Sequence, residues 1–433
     1  MRAHETRSRS TVAAIAIVAS LAASAVLPAV SPAAGVGPAR LAKPGPPAPR
    51  VGLASAGRAA PGRAAAVASA FELPDWVIDS GYPLGDCRYG ERPLPSACAN
   101  LYDYVFGVWR PFSGESPFNR PVPDSPRLTR NSASVVDRLT GFGSMQKVLE
   151  GVAGTEEDWS HPIYYAYADD PVFTVHCSRS ADWGTCEIEG ARVRIPDAAQ
   201  PAAGGDGHMA VIDVAPGPGY GSEYDFWQVK SKPDGGGRLV ASYGGRTSVL
   251  WQEADGLGSN ATAANYGLSA GIVRPEELEA GRIDHALFMV VRCTNGDSVW
   301  PAPESGTGRP CSQLGLPDSG APAMGQRFYL DMSDAQIAAL PEPAWKKTIL
   351  RAMARYGALV GDTGGGSWGI QFQSSASYTS FGYPDPWVRL ARRWGVPSWE
   401  SGGRTLYAFD LGDAVDWGAR LSVVAPCEAR GTC

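Results

Sequence analysis

Charge is scarce in this 433-residue chain, where Asp, Glu, Lys and Arg together make up only 19%. Histidine is scarcer still, with five in all. The chain has no HExxH zinc-protease helix, no GxxxxGK[ST] phosphate loop, no GxGxxG in a strand–helix setting and no CxxC pair. These gaps weigh against a zincin peptidase, a P-loop enzyme, a dinucleotide-dependent oxidoreductase and a dithiol redox protein. No Cys/His nucleophile set is apparent either, and no cofactor is expected. No repeat of solenoid or propeller period is visible, and no EF-hand pattern is present.

Basic residues are unevenly placed. Residues 1–70 hold eight Lys/Arg against one Glu, so with −6 overall the remaining body carries −13. An acidic body disfavours nucleic acid and anionic membrane surfaces as partners, because both are themselves anionic. Arg2, Arg7 and Arg9 precede an Ala-rich apolar run over residues 12–30, and small residues follow. This reads as a secretory signal peptide over residues 1–32, with no membrane attachment once it is cleaved. Residues 33–70, rich in Ala, Gly and Pro, cannot bury a core and read as a disordered tether. Residues 71–433 are then a single β-rich domain, expected to be secreted, extracellular and monomeric.

What the chain has in plenty is Gly and Pro, 52 and 36 residues, the mark of many turns and long loops. All 8 cysteines lie in the body and fall into neighbours: Cys87/Cys98, Cys177/Cys186, Cys293/Cys311 and Cys427/Cys433. Four local disulfides in an oxidising compartment are the economical reading, although spacing alone leaves other pairings open.

The most informative stretch is residues 206–230, DGHMAVIDVAPGPGYGSEYDFWQVK. Both ends alternate like half-buried strands around a Gly/Pro turn. A one-residue slip would reverse every side chain, so register matters. Pairing Ala210 with Asp225 collects Met209, Val211, Tyr224 and Phe226 on an apolar face. His208, Glu223, Asp225 and Trp227 then share the opposite face. Two carboxyls, an imidazole and an indole on one face suit a sugar site: acid, base or nucleophile, and a stacking platform. An ordinary solvated strand face with a packed aromatic would read the same way. Asp206-x-His208 lacks further ligands at metal spacing, so no metal site is expected.

Further along, residues 132–139 predict a short helix. PIYYAYAD, PVFTVHC and residues 186–195 predict strands. His176, beside Cys177, reads as structural, and His161, at a turn before Pro162, is given no role. Arg274 precedes Pro275, which suits the first position of a helix carrying Glu276 and Glu277 and ending at Gly281. His285 opens an apolar strand, either as a core histidine or as a second imidazole near the site. Residues 343–356 predict the clearest helix, with a Trp345, Ile349, Met353, Tyr356 stripe and Gly357 beyond it. ALVGD then predicts a buried strand ending at Asp362, followed by TGGGSWG, a flexible loop rather than a phosphate cradle. Asp385 and Pro386 start another helix, and Gly395 ends it.

DGHMAVIDV…YDFWQ, AGIVRPEELEAGRIDHALF, AMGQRFYL and ARYGALVGDTGG together resemble a widespread secreted family of bacteria and fungi with no assigned function. Its pattern runs Asp-x-His-Met, Tyr-Asp/Glu-Phe/Leu, Gly-Leu-Val/Ile-Arg, Ile-x-His-Ala-Leu and Tyr-Gly-x-x-x-x-Asp, over residues 116–366 here. The resemblance implies that Asp206, His208, Asp225, Arg274, His285 and Asp362 are the positions of interest, without naming a chemistry. Glu223 has no counterpart in the pattern. Asn265-Tyr266 departs from the family's usual Asp-Ala-Ala.

The fold expected is mainly β, an antiparallel, jelly-roll-like β-sandwich with a few peripheral helices. The function expected is carbohydrate-active, with a polysaccharide or oligosaccharide as substrate. In a glycoside hydrolase, Asp225 and Glu223 would act as acid/base or nucleophile, with His208 and His285 assisting. Trp227, Tyr224, Arg274, Trp251 and Asp206 would bind substrate. A polysaccharide lyase would instead use His208 or Tyr224 as base and Arg274 to neutralise a uronate. A non-catalytic sugar-binding wall protein would need only stacking surface, for which 13 tryptophans are available.

Overall fold

The computed structural model describes residues 112–142, 158–215, 217–250, 254–259, 261–401 and 404–433. The expected signal peptide and tether, the Cys87/Cys98 pair and Trp251 lie outside the described residues.

The alternating hairpin is the spine of the first sheet. β4 (Met209–Asp213) and β5 (Ser222–Ser231) pair antiparallel with Ala210 opposite Asp225 and Val211 opposite Tyr224. Period-two alternation then sorts the side chains as the sequence requires. Met209, Val211, Tyr224 and Phe226 enter one apolar cluster, while Ala210 and Ile212 enter another on the opposite face. Around this hairpin stand β1 (Ile163–Ala166), β2 (Val172–Cys177), β3 (Arg192–Arg194) and β6 (Gly237–Ser248), in the order β1-β4-β5-β6-β2-β3. Of the strand expected over residues 186–195, only Arg192–Arg194 is paired as strand; residues 187–190 form a turn after the Cys177–Cys186 disulfide.

A second sheet contains β7 (Leu287–Val291), β8 (Arg327–Leu330), β9 (Ala358–Thr363), β10 (Gly369–Ile370) and β13 (Leu421–Val423), in the order β10-β7-β9-β8-β13. A separate ribbon pairs β11 (Ser398–Ser401) with β12 (Arg404–Tyr407). The fold is thus sheet-dominated, but it is not antiparallel throughout as a jelly-roll-like sandwich requires. β1/β4, β2/β6 and β7/β9 pair in parallel. Parallel pairing needs long crossovers, and here other strands and helices lie within them: β2 and β3 between β1 and β4, and β8 with the Ala344–Arg355 helix between β7 and β9.

The helices follow their local chemistry. Ala344–Arg355 buries Trp345, Ile349 and Met353 against the second sheet's core, and Gly357 follows with φ 74°, a value that favours glycine. Pro386–Trp394 is capped by Asp385, whose carboxylate accepts from the amides of Trp387 at 2.8 Å and Val388 at 3.2 Å. Its Trp387 packs edge-on against Phe372 and Phe409. Cys177–Cys186, Cys293–Cys311 and Cys427–Cys433 are disulfides, as neighbour pairing anticipated.

Between the sheets runs an irregular segment over residues 254–274. One side of it, through Ala261, Leu268 and Ile272, covers the face of the first sheet that carries Ala210 and Ile212. The other side, through Ala264, Tyr266, Ala270 and Val273, joins the core of the second sheet. Its backbone is tied to β9 by the Ala264 amide donating to Gly361 and to β7 by the Phe288 amide donating to Gly271.

Candidate functional site

The polar face of the hairpin meets this middle segment. Asp225 Oδ2 accepts the Leu268 amide at 3.1 Å, and Glu223 Oε1 accepts the Ser269 amide at 2.7 Å. Ser269 Oγ donates to the other Glu223 oxygen at 2.5 Å. The two carboxyls therefore satisfy backbone donors that no strand partner serves. Both are 0% exposed. Burial raises both above the ordinary carboxylate range, Asp225 strongly, and Glu223 beside it pushes Asp225 further. A polysaccharide cannot touch side chains sealed in this way. The expected acid/base pair is thus arranged as an internal tie.

Leu268 extends this tie. While its amide serves Asp225, its carbonyl accepts from His161 Nδ1 at 2.9 Å, which fixes the proton of neutral His161 on that nitrogen. The His161 ring stands edge-on to His208, with centroids 4.9 Å apart, and to Phe288, at 5.4 Å. The two imidazoles are only 2% and 4% exposed. Burial lowers both, His161 well below its usual range with His208 adding to the effect, so both are neutral near pH 7. Among the described residues neither ring nitrogen of His208 makes a hydrogen bond of ordinary geometry. The nearby Asp206 carboxylate and the Ala261 backbone partly offset the burial of His208. Sequence reasoning gave His161 no role. Its bridge to Gln373 and its ring contacts come from strands distant in sequence, and no local signal announces them.

Above the buried histidines two further carboxyls are partly open to solvent. Asp206, in the loop entering β4, accepts from the Trp227 indole N–H at 3.1 Å. Asp362 lies near the end of β9, just past a bulge in its pairing with β7 where the register slips at Gly361. Bulges re-aim the side chains beyond them. Burial, reinforced by the Asp206 carboxylate, raises Asp362 to about 7. Asp362 Oδ1 meanwhile accepts the Thr363 amide at 2.7 Å. Two aromatic rings lie on the Asp206 side of this pair. The Trp159 ring lies over Gly205, 3.3 Å from where a side chain there would begin, and Trp159 is 50% exposed. Trp227 stacks on Trp183 with centroids 4.6 Å apart.

The remaining sequence candidates go elsewhere. Tyr224 points into the apolar cluster on the opposite face from His208. Arg274 and His285 meet at Glu277 instead: Arg274 Nη2 and His285 Nε2 each stand 3.0 Å from Glu277 Oε1. The backbone amide of Arg274 donates to Glu277 Oε2 at 3.0 Å, closing the start of the Pro275–Ala280 helix. Burial works against ionisation there, but the Arg274 and His285 charges together bring Glu277 down to about 2. Nearby, Glu276, raised by burial to about 7, accepts from the Tyr378 hydroxyl at 2.8 Å. His176, read as structural, stands 3.1 Å from Glu189.

Gly365-Gly366-Ser367-Trp368-Gly369 spells the Gly-x-Ser-x-Gly string of a nucleophile elbow. It joins β9 to the two-residue β10, so the strand–turn–helix setting that strains and exposes such a serine is missing. Among the described residues no group of three or more His, Cys, Asp or Glu side chains is placed to hold a metal ion. No described helix is long and apolar enough to cross a membrane.

Comparison with protein-family models, with curated proteins and with solved structures finds no match to this chain. The site has to be read from its own geometry.

Proposed function

We propose that this is a secreted carbohydrate-active hydrolase whose working carboxyls are Asp362 and Asp206, with Trp227 and Trp159 as ring platforms. One observation carries the reading. Two partly open carboxyls, one from the loop entering β4 and one from β9, stand within each other's electrostatic field with an indole on Asp206, and one is raised to about 7. Glycosidases pair carboxyls in this manner: a protonated one donates to the glycosidic oxygen while the other activates water or attacks the anomeric carbon. Asp362 takes the acid role, because a carboxyl raised to about 7 still holds its proton at mildly acidic pH. Asp206 is held in place by the Trp227 N–H and takes the second role. The Trp227 and Trp159 rings offer apolar faces for pyranose stacking. The disulfides fit an oxidising compartment, which supports export.

A second reading rests on His208. A neutral imidazole beside Asp206 has the protonation state that a β-eliminating base needs. His208 is only 4% exposed, and Arg274, the residue expected to neutralise a uronate, is engaged by Glu277 instead; both weaken this alternative.

The test uses oxidised, secreted protein on plant, fungal and bacterial wall polysaccharides, following reducing ends and unsaturated-uronate absorbance together. New reducing ends without unsaturation, abolished by Asp362→Asn and Asp206→Asn but kept by Asp225→Asn, support the hydrolase. Unsaturation lost in His208→Ala establishes the lyase. Glycan binding without either product leaves a non-catalytic binder and overturns both.

A further inference from the structure

The outer face of the first sheet carries a cationic cleft that the hydrolase reading does not use. Register puts Arg192 of β3, Thr174 of β2 and Arg238 of β6 in one cross-strand row, since Thr174 pairs with both arginines. Partners in register point to the same side of a sheet. The neighbouring residues Phe173, Val175, Val193 and Leu239 fill the apolar cluster on the inner side, so the arginines face out. His176, two residues along β2, joins the same face. The row lines an open cleft of about 400 Å³ whose one carboxylate is Glu189. That carboxylate accepts the Cys177 amide at 2.6 Å, faces His176 Nδ1 at 3.1 Å and lies within the field of Arg238. Arg194, next along β3, is drawn away to Asp213 at 3.3 Å.

Two guanidinium groups stand on strands about 10 Å apart with a threonine between them, and the single Glu189 carboxylate offsets only one of their two charges, so an entering anion meets a net positive cleft. Their planar forks match the geometry of carboxylate and sulfate oxygens. The body of the protein is acidic, yet the Debye length at physiological ionic strength is about 8 Å. An anion in the cleft therefore feels the two arginines and little of the remote negative charge.

We propose that this cleft binds the carboxylate or sulfate groups of an acidic glycan, giving the protein a second glycan contact away from Asp206 and Asp362. The inference rests on the carbohydrate-active reading and narrows its substrate to charged polymers. It adds recognition and no bond-breaking step.

Binding of the full chain is measured by calorimetry in about 0.15 M salt. The ligands are polygalacturonate, its fully methyl-esterified form, dextran sulfate, neutral dextran and free sulfate. Arg192→Ala/Arg238→Ala is compared with wild type and with the exposed control Arg420→Ala. The expected result is preference for a charged polymer over its neutral counterpart. That preference should weaken by a factor on the order of ten or more in the double variant and persist in the control, as loss of charge-assisted hydrogen bonds requires. Polygalacturonate and dextran sulfate separate carboxylate from sulfate as the group recognised. Equal binding of charged and neutral polymers overturns the cleft. So does an unchanged double variant, or binding of free sulfate alone. Charge-dependent binding without new reducing ends keeps the cleft and removes the hydrolase. Cleavage of neutral polymers that is indifferent to both arginines does the reverse.

Discussion

His161 and His208 stand edge to face with ring centroids 4.9 Å apart, and the Leu268 peptide links the first of them to Asp225. This contact organises the interior. One residue of the middle segment serves an imidazole from just before β1 through its carbonyl and a carboxyl from β5 through its amide, locking both to the layer between the sheets. Replacing His161 by Phe keeps the ring stacking but leaves the Leu268 carbonyl without its donor. The expected cost is about 1–3 kcal/mol, the penalty for an unsatisfied buried acceptor, read by urea unfolding. An unchanged midpoint would remove the His161–Leu268 bond from the fold.

The sealed Glu223/Asp225 pair makes a prediction that opposes its use in catalysis. Asp225 is raised, so the folded state holds its proton more tightly than the unfolded chain does. Stability is therefore full at pH below the ordinary carboxylate range and declines as pH climbs toward the raised value. Asp225→Asn mimics the protonated form and removes the titrating carboxyl. It should unfold within about 1 kcal/mol of wild type at pH 5 and flatten the decline between pH 5 and 8. Unfolding curves across that range would check it, and an unchanged slope would mean that another group carries the pH dependence.

Glu277 carries the opposite sign. Arg274 and His285 hold it down at about 2, so its contribution is present above the ordinary glutamate range and is lost as pH falls from there toward 2. Glu277→Gln leaves the Arg274 charge buried without its counter-ion. A loss of about 3–5 kcal/mol at pH 7 is expected, the range for breaking a buried pair from one side. The variant should also be less sensitive to acid than wild type. A loss under about 1 kcal/mol would mean that this network is a solvated surface pair.

Gly361 tests the bulge that aims Asp362. A Cβ built there falls 2.3 Å from the Phe288 ring, and that ring in turn packs against His161. Gly361→Ala must push the ring toward the histidines, at a cost of about 1–3 kcal/mol for overpacking. Gly361→Ala/Phe288→Leu should recover most of the loss, by thermal melting. If the double variant is no better than the single, backbone strain and not ring crowding accounts for the glycine.

Asp362 sets the pH profile of the proposed activity. A general acid must be protonated, so turnover should fall as pH rises through about 7. Asp362→Asn should lower the rate by about 10²–10⁴-fold and abolish that alkaline limb. A profile that stays flat from pH 6 to 8 would assign the acid to another group.

Much of this architecture was legible locally. Alternation with a one-residue register penalty was enough to pair Ala210 with Asp225, because any slip would have turned Met209 and Phe226 outward. Short spacing was enough for the three described disulfides, and cap chemistry for the helices opened by Pro275 and Asp385. These features are settled within a few residues of chain, where covalent geometry limits the choices. Strand direction was not settled so. β1 and β4 lie parallel because of a long crossover whose course no local pattern encodes. Depth was decided later still. Alternation placed Glu223, Asp225 and His208 on one face, but only the segment of residues 254–274, packed over that face, buried them. It left Asp206 and Asp362 partly open. The sequence by itself determined which side chains share a face. The tertiary structure decided which of them water can reach, because that depends on what a distant part of the chain lays over them.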